Sequence, residues 1–155
     1  MKFAWSDIPQ LPRAHYCVDI GWDYLESQIE SHSQPGYNLD LNPDYQRAHV
    51  WTRAQQVAYV EYQLQGGEVG RELTFNHTKW DEAADDGIYT IVDGKQRLEA
   101  VRSFMRDGFA VFAQLDPAGQ GWLKSEVSGR FRITLQGFKW KICKLQTRAG
   151  YFGST

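Results

Sequence analysis

The chain is poor in cysteine and has no long hydrophobic run. Its 155 residues include two cysteines, Cys17 and Cys143, which lack the Cys-x-x-Cys or Cys/His spacing of a zinc site or a redox dithiol. We therefore expect two ordinary buried thiols. No stretch approaches the roughly 18 apolar residues of a membrane span, and the first residues lack the apolar segment of a signal peptide. The sequence predicts a cytoplasmic protein without a membrane partner.

The chain also lacks a large excess of charge and the usual catalytic motifs. Seventeen Lys and Arg residues face nineteen Asp and Glu residues, so the overall cationic field of a nucleic-acid coat is absent. No Walker A loop, Gly-x-Ser-x-Gly turn or His-Glu-x-x-His helix occurs. The four histidines, His15, His32, His49 and His77, have no metal-ligand spacing.

The residues that are present indicate one folded domain. Hydrophobic residues make up 42% and aromatic residues 14% of the chain, which is too apolar for a disordered protein. The length suits a single core. We predict an irregular arm over residues 1–14, one domain over residues 15–149 and a frayed tail over residues 150–155.

Hydrophobic periodicity predicts a mixture of strands and helices. Three helices are expected, at 22–33, 52–65 and 95–107. The residues expected to face inward are Trp22, Leu25 and Ile29 in the first helix, Val57, Val60 and Leu64 in the second, and Leu98, Val101, Phe104 and Met105 in the third. In the third helix, Arg97, Arg102 and Arg106 are expected to face outward. Strands are expected at 16–20, 38–41, 71–76, 89–92 and 109–113, with a C-terminal β-hairpin of 131–135 and 140–145. Because strands and helices do not alternate strictly, we predict a compact α+β domain with a small mixed sheet.

Residues 90–98 carry an apolar strand directly into a basic helix start. Capping is one interpretation, with Asp93 as N-cap, Gln96 as its capping-box partner and Gly94 easing the turn. Capping does not explain Lys95 and Arg97, because cations in a first turn oppose the helix dipole. The interpretation that we favour is an anion site, in which free backbone N–H groups and the two cations bind a phosphate.

A second candidate element lies at residues 43–51. Gln46 and Arg47 stand between a proline turn and Trp51. The guanidinium of Arg47 suits phosphate, and Gln46 can both donate and accept hydrogen bonds at a base or sugar edge. The alternative is a surface loop that Tyr45 and Trp51 anchor to the core.

The two elements together resemble the N-terminal domain of GmrSD-type restriction proteins, which is grouped with the ParB/sulfiredoxin-like fold. The resemblance covers residues 18–115 and rests on two patterns, Pro43-x-Tyr45-Gln46-Arg47-x-x-Val50-Trp51 and Val92-Asp93-Gly94-Lys95-Gln96-Arg97-Leu98. The signature of the family reads Asp-Gly-Gln-Gln-Arg, so Lys95 replaces a glutamine and adds a cation. Neither cysteine lies near the anion motif in sequence, which argues against sulfiredoxin chemistry.

The resemblance implies a nucleoside triphosphate bound with Mg²⁺, in a restriction or phage-defence setting in a bacterial cell or phage-infected host. Carried over to this chain, it assigns Asp93 and Arg97 as candidate catalytic residues, Asp93 as the metal ligand, and Gln46, Arg47, Gly94, Lys95, Gln96 and Arg97 as phosphate contacts. Whether a Mg-dependent hydrolysis takes place stays open. Relatives carry a C-terminal HNH nuclease domain for which these 155 residues leave no room, so we expect a protein partner to supply nuclease activity.

A basic C-terminal segment offers an alternative. Cations and aromatic residues interleave there as in single-strand nucleic-acid platforms, with Arg130, Arg132, Lys141 and Lys144 as candidate nucleic-acid contacts beside Phe131 and Trp140. A half-buried hairpin with a solvated face would give the same alternation. A further rival to a nucleotide-binding enzyme is a non-catalytic DNA-binding or protein-interaction module that uses the cationic cleft expected between Arg47 and Arg97.

Overall fold

The described strands and α-helices lie between residues 14 and 143. The computed structural model describes Asp7 and residues 14–35, 38–45, 50–77, 87–127 and 136–143, with only the backbone of residues 14–16 and 143. The strands are β1 (Ala14–Gly21), β2 (Leu39–Asp40), β3 (Glu72–His77), β4 (Tyr89–Asp93) and β5 (Gly137–Cys143), and the α-helices are α1 (Leu25–His32), α2 (Arg53–Leu64) and α3 (Lys95–Met105). Short 3-10 turns cover Trp22–Tyr24, Ala113–Leu115 and Lys124–Glu126.

The five strands form one mixed sheet in the order β1-β5-β3-β4-β2. β5 runs antiparallel to β1 and parallel to β3, while β4 runs antiparallel to β3 and parallel to β2. The register brings Leu73 beside Trp140, and Phe75 beside both Ile142 and Ile91. All five side chains are buried, so alternate residues of the central strands form one apolar face.

The helices pack on this apolar face and complete a single core. Trp22, Val60 and Phe104 belong to the same buried cluster as the inward residues of β3, β4 and β5. The Phe75 and Trp140 rings stack at 4.1 Å between centroids, and Trp22 meets the edge of Phe104 at 6.4 Å. A mixed sheet of five strands with three helices confirms the predicted α+β class.

Helix α2 begins at the predicted capping box but buries a different stripe. The Thr52 hydroxyl accepts the backbone N–H of Gln55, and the Gln55 side chain accepts the backbone N–H of Thr52. The fully buried residues are Gln56, Val60 and Gln63, whereas the predicted Val57 and Leu64 are half-buried. Gln63 tolerates burial because its amide nitrogen donates to the Val69 carbonyl at 2.7 Å and its oxygen accepts from Arg71.

Helix α3 buries the predicted Leu98, Val101 and Phe104. Two of its arginines, Arg97 and Arg102, do not point into solvent as predicted. The Arg102 side chain is 17% exposed and pairs with Glu26 of α1 and with Glu99. The predicted strand 109–113 is wrong: among the described residues this segment makes an isolated bridge between Val111 and Trp122 and then a 3-10 turn.

The C-terminal strand is present, but its neighbours differ from those of the predicted hairpin. β5 is an interior strand that pairs with β1 along one edge and with β3 along the other. Residues 131–135, the other predicted arm, lie outside the described residues. The predicted arm and tail boundaries stay predictions, since apart from Asp7 the described chain begins at Ala14, in β1, and ends at Cys143.

Candidate functional site

A cleft of about 390 Å³ opens where β4 passes into α3. This volume lies within the range of small-molecule sites in proteins. The cleft joins a polar and cationic floor at the start of α3 to a wall formed by Tyr45, Val50 and Trp51. Its lining residues are Tyr45, Val50, Trp51, Val92, Asp93, Gly94, Lys95, Gln96 and Arg97.

Gly94 makes the turn from strand to helix. Its φ is +103°, in the left-handed region that favours glycine, and it is the N-cap of α3 with no side-chain cap. A Cβ at this position would lie 2.5 Å from Cδ2 of Leu73 and 3.1 Å from the Glu72 carbonyl oxygen. Only a residue without a side chain therefore lets the helix start so close to β3.

The capping interpretation of this motif is wrong. Because the N-cap is Gly94, neither Asp93 nor Gln96 has a role in a capping box. The Asp93 carboxylate, 67% exposed, instead accepts a hydrogen bond from Arg97. The Gln96 oxygen accepts the backbone N–H groups of Val50 and Trp51, some 45 residues away. Both side chains thus face the cleft rather than the backbone of their own helix.

Arg97 is held at the floor of the cleft rather than in solvent. Its Nη2 donates to the Glu72 carbonyl and to the Asp93 carboxylate, both at 3.0 Å, and the side chain is 23% exposed. Its Nε is buried with no hydrogen-bond partner among the described residues. The side chain passes Gly70, where an added Cβ would lie 3.3 Å from its Cδ. Its guanidinium is therefore fixed in direction.

Tyr59 of α2 lies near Arg97, and the sequence analysis did not indicate this residue. Its hydroxyl donates to the Gly70 carbonyl at 2.7 Å. Burial raises the pKa of this hydroxyl, and the positive charges of Arg97 and Arg71 offset part of the rise. Tyr59 and Glu72 lie 38 and 25 positions before Arg97, beyond the reach of any local pattern, so no sequence signal could have indicated them.

Lys95, the first residue of α3, is 8% exposed and lines the cleft. A largely buried lysine at a helix start is unusual, because burial disfavours an ammonium group and the helix dipole repels it. Lys95 thus belongs to the floor of the cleft, next to Gly94.

The first predicted motif is only partly described. Gln46, Arg47 and His49 lie outside the described residues, so their predicted roles stay predictions. Tyr45 and Val50, on either side of residues 46–49 in the chain, both line the cleft. The Tyr45 hydroxyl donates to the Ile91 carbonyl at 3.1 Å. Described residues of the first motif therefore line the same cleft as the second motif, and the meeting of Arg47 with Arg97 stays a prediction.

Of the four cations predicted as nucleic-acid contacts in the basic C-terminal segment, Lys141 is the one that lies among the described residues. Its Nζ lies 2.6 Å from the Glu72 carboxylate across the sheet. Trp140, predicted as a stacking aromatic, is fully buried and stacks on Phe75 instead, so it cannot receive a base. Arg130, Phe131, Arg132 and Lys144 lie outside the described residues, and their nucleic-acid contacts stay predictions.

Further expectations concern thiols, metals and membranes. Cys17 is exposed, so its predicted burial is wrong, and the side chain of Cys143 lies outside the described residues. Among the described residues, no group of three or more His, Cys, Asp or Glu side chains is placed to hold a metal ion. In the same part of the chain, no helix has the length and apolar character to cross a membrane.

A comparison with protein families matches residues 26–148 to the N-terminal domain of the GmrSD restriction endonuclease. The match covers most of the chain. This protein belongs to the GmrSD N-terminal domain family. The match includes the cleft and extends past residue 115, where the sequence resemblance stops, to take in β5. Membership suggests a role related to restriction or phage defence. Searches of curated proteins and of solved structures found no match.

Proposed function

We propose that this GmrSD N-terminal domain binds a nucleoside triphosphate in the cleft at the start of α3. The observation that carries the proposal is the pairing, in one cleft, of a cationic floor with an aromatic wall. A nucleotide has the matching halves, a polyanionic chain and a flat base.

The floor suits phosphate. Lys95 and Arg97 supply two cations, and the first turn of α3 supplies backbone N–H groups without partners inside the helix. A bound anion would interact favourably with both cations and with the amino end of α3. Arg97 is pre-oriented by its bond to Glu72, so its guanidinium needs little ordering when a phosphate arrives. By family resemblance, Gln46 and Arg47 are proposed as further phosphate contacts.

The wall suits a base. Tyr45 is 63% exposed beside the cleft. The half-buried Trp51 packs edge-on against Tyr59 at 5.6 Å between ring centroids, which fixes its plane. Stacking on an aromatic side chain is worth about 1–3 kcal/mol per base and tolerates any base. The wall thus favours a nucleotide over inorganic phosphate.

Mg²⁺ fits the site in part. Asp93 contributes one exposed carboxylate, whose Oδ2 pairs with Arg97. Mg²⁺ in nucleotide sites is held by one or two carboxylates together with phosphate oxygens. Asp93 would therefore hold the ion jointly with the triphosphate, and the ion would neutralise charge that develops on the phosphate during hydrolysis. Arg97 would stabilise the same charge from the floor. A protein partner would add any nuclease activity.

Calorimetric titration with ATP, GTP, CTP and UTP in the presence of Mg²⁺ tests the proposal. We expect at least one triphosphate to bind and to raise the melting temperature, since a ligand at a hundred times its Kd stabilises a protein by about 2.7 kcal/mol. Lys95→Gln, which restores the usual family residue, should weaken binding about tenfold through loss of one charged contact. Lys124→Gln makes the same change outside the cleft lining and should bind normally.

Two results would contradict nucleotide binding in this cleft. One is the absence of binding with all four triphosphates. The other is an equal loss of affinity in Lys95→Gln and Lys124→Gln. If DNA binds instead, with an affinity that falls steeply as salt rises, the rival DNA-binding function replaces this one. Phosphate release by the wild type, lost in Asp93→Asn while binding persists, separates hydrolysis from binding alone.

A further inference from the structure

The amide oxygen of Gln96 is already engaged within the protein. Its Oε1 accepts the backbone N–H of Val50 at 3.0 Å and that of Trp51 at 3.1 Å. Because both neighbours are N–H donors, the atom that they share is the amide oxygen. One side-chain atom of α3 therefore holds two consecutive backbone groups of the cleft wall.

At the other end of the wall, a side chain of the wall itself bonds to the backbone of β4. The Tyr45 hydroxyl donates to the Ile91 carbonyl in β4, at 3.1 Å. Each side of the wall is thus attached to the β4–α3 unit by one side chain bonded to distant backbone. Gln96 makes two of these three contacts, so it makes the larger contribution to the attachment.

We infer that Gln96 is a positioning residue, which sets the place of Val50 and Trp51 over the start of α3 and does not itself contact the ligand. This differs from the phosphate-binding role that the family resemblance implies. The part of the inference that concerns ligand binding rests on the proposed nucleotide function. Since Trp51 belongs to the wall and not to the floor, Gln96 acts on the base end of the ligand.

The first experiment needs no ligand. Gln96→Met keeps the length of the side chain and removes the acceptor, while Gln96→Glu keeps an acceptor that can serve both N–H groups. Backbone amide hydrogen exchange, read by NMR, should speed up about tenfold at Val50 and Trp51 in Gln96→Met, as expected for two lost neutral hydrogen bonds. In Gln96→Glu it should be unchanged or slower. Gln114→Met, the same change at an exposed glutamine, is the control.

The second experiment compares ligands. Gln96→Met should bind the triphosphate that the wild type prefers about tenfold more weakly, a loss within the range of one base stack. It should bind inorganic tripolyphosphate as the wild type does. Equal losses for both would assign Gln96 to the phosphate and overturn the inference.

An unchanged rate of amide hydrogen exchange at Val50 and Trp51 in Gln96→Met would also overturn the inference that Gln96 positions the wall. So would fast exchange in Gln96→Glu. If the wild type binds no nucleotide, the proposed function fails, yet the exchange measurement still decides whether Gln96 positions the wall.

Discussion

Replacing Gly94 by alanine should damage the cleft and the fold together, by an amount that the structure allows us to divide. A non-glycine residue in the left-handed region costs about 1–2 kcal/mol, and Gly94 has a φ of +103°. The new Cβ would also lie 2.5 Å from Cδ2 of the buried Leu73. Overfilling a packed core costs about 1–3 kcal/mol. We therefore expect Gly94→Ala to lose about 2–5 kcal/mol of the free energy of unfolding.

Gly66→Ala separates the cost of the left-handed backbone from the cost of the close contact with Leu73. Gly66 has a φ of +92°, close to that of Gly94, but a Cβ there would meet no atom within 4 Å. Both variants reduce the entropy of the unfolded chain equally, so that effect cancels. Urea denaturation followed by circular dichroism should give a loss of about 1–2 kcal/mol for Gly66→Ala. If Gly94→Ala loses no more than Gly66→Ala, the close approach of β3 to the helix start is not what requires glycine.

Two further predictions concern stability away from the cleft. Thr52→Ala should lower the free energy of unfolding by about 1 kcal/mol through loss of the capping box with Gln55, while Thr52→Ser should retain it; equal losses in urea denaturation would argue against the cap. The hydrogen bond from Arg102 lowers the pKa of Glu26 below its ordinary 4.5. This pair therefore stabilises the fold above about pH 4.5 and is lost as the pH falls through the folded-state pKa. The urea midpoint of Glu26→Gln should fall less than that of the wild type below pH 4.5, and parallel curves would refute this.

Local sequence patterns predicted most of the fold. The alternation in β3 places Leu73 and Phe75 inward, and the Thr52 capping box marks the start of α2. Such patterns fail where tertiary contacts decide. Gln63 reads as polar and exposed, yet it is buried because Val69 and Arg71 satisfy its amide. The segment after α3 reads as a strand from its apolar residues, yet among the described residues it makes a single isolated bridge, between Val111 and Trp122.

The candidate site was predictable as a location but not as a set of roles. Two short motifs indicated that residues 43–51 and 90–98 meet, and the lining of the cleft includes residues from both. Within the second motif, local rules offered Gln96 a place in a cap as the alternative to a phosphate contact, and helix periodicity placed Arg97 on the outward face. Their true partners, Trp51 and Glu72, lie 45 and 25 positions away. No rule based on neighbouring residues can find such partners.

The ion pair between Asp93 and Arg97 is compatible with the proposed role of Asp93 as a metal ligand. With the carboxylate 67% exposed, the pair contributes no more than about 1 kcal/mol. A phosphate of the proposed nucleotide can therefore displace Asp93 from Arg97 at small cost and gain a stronger charged contact. The bond from Arg97 to Glu72 would keep the guanidinium in place during the exchange. The released carboxylate would then lie beside the phosphate chain, where a Mg²⁺ ion needs a protein ligand. In the proposed nucleotide complex, Asp93 would thus hold Arg97 before the nucleotide binds and would become available to the metal once the nucleotide has displaced it.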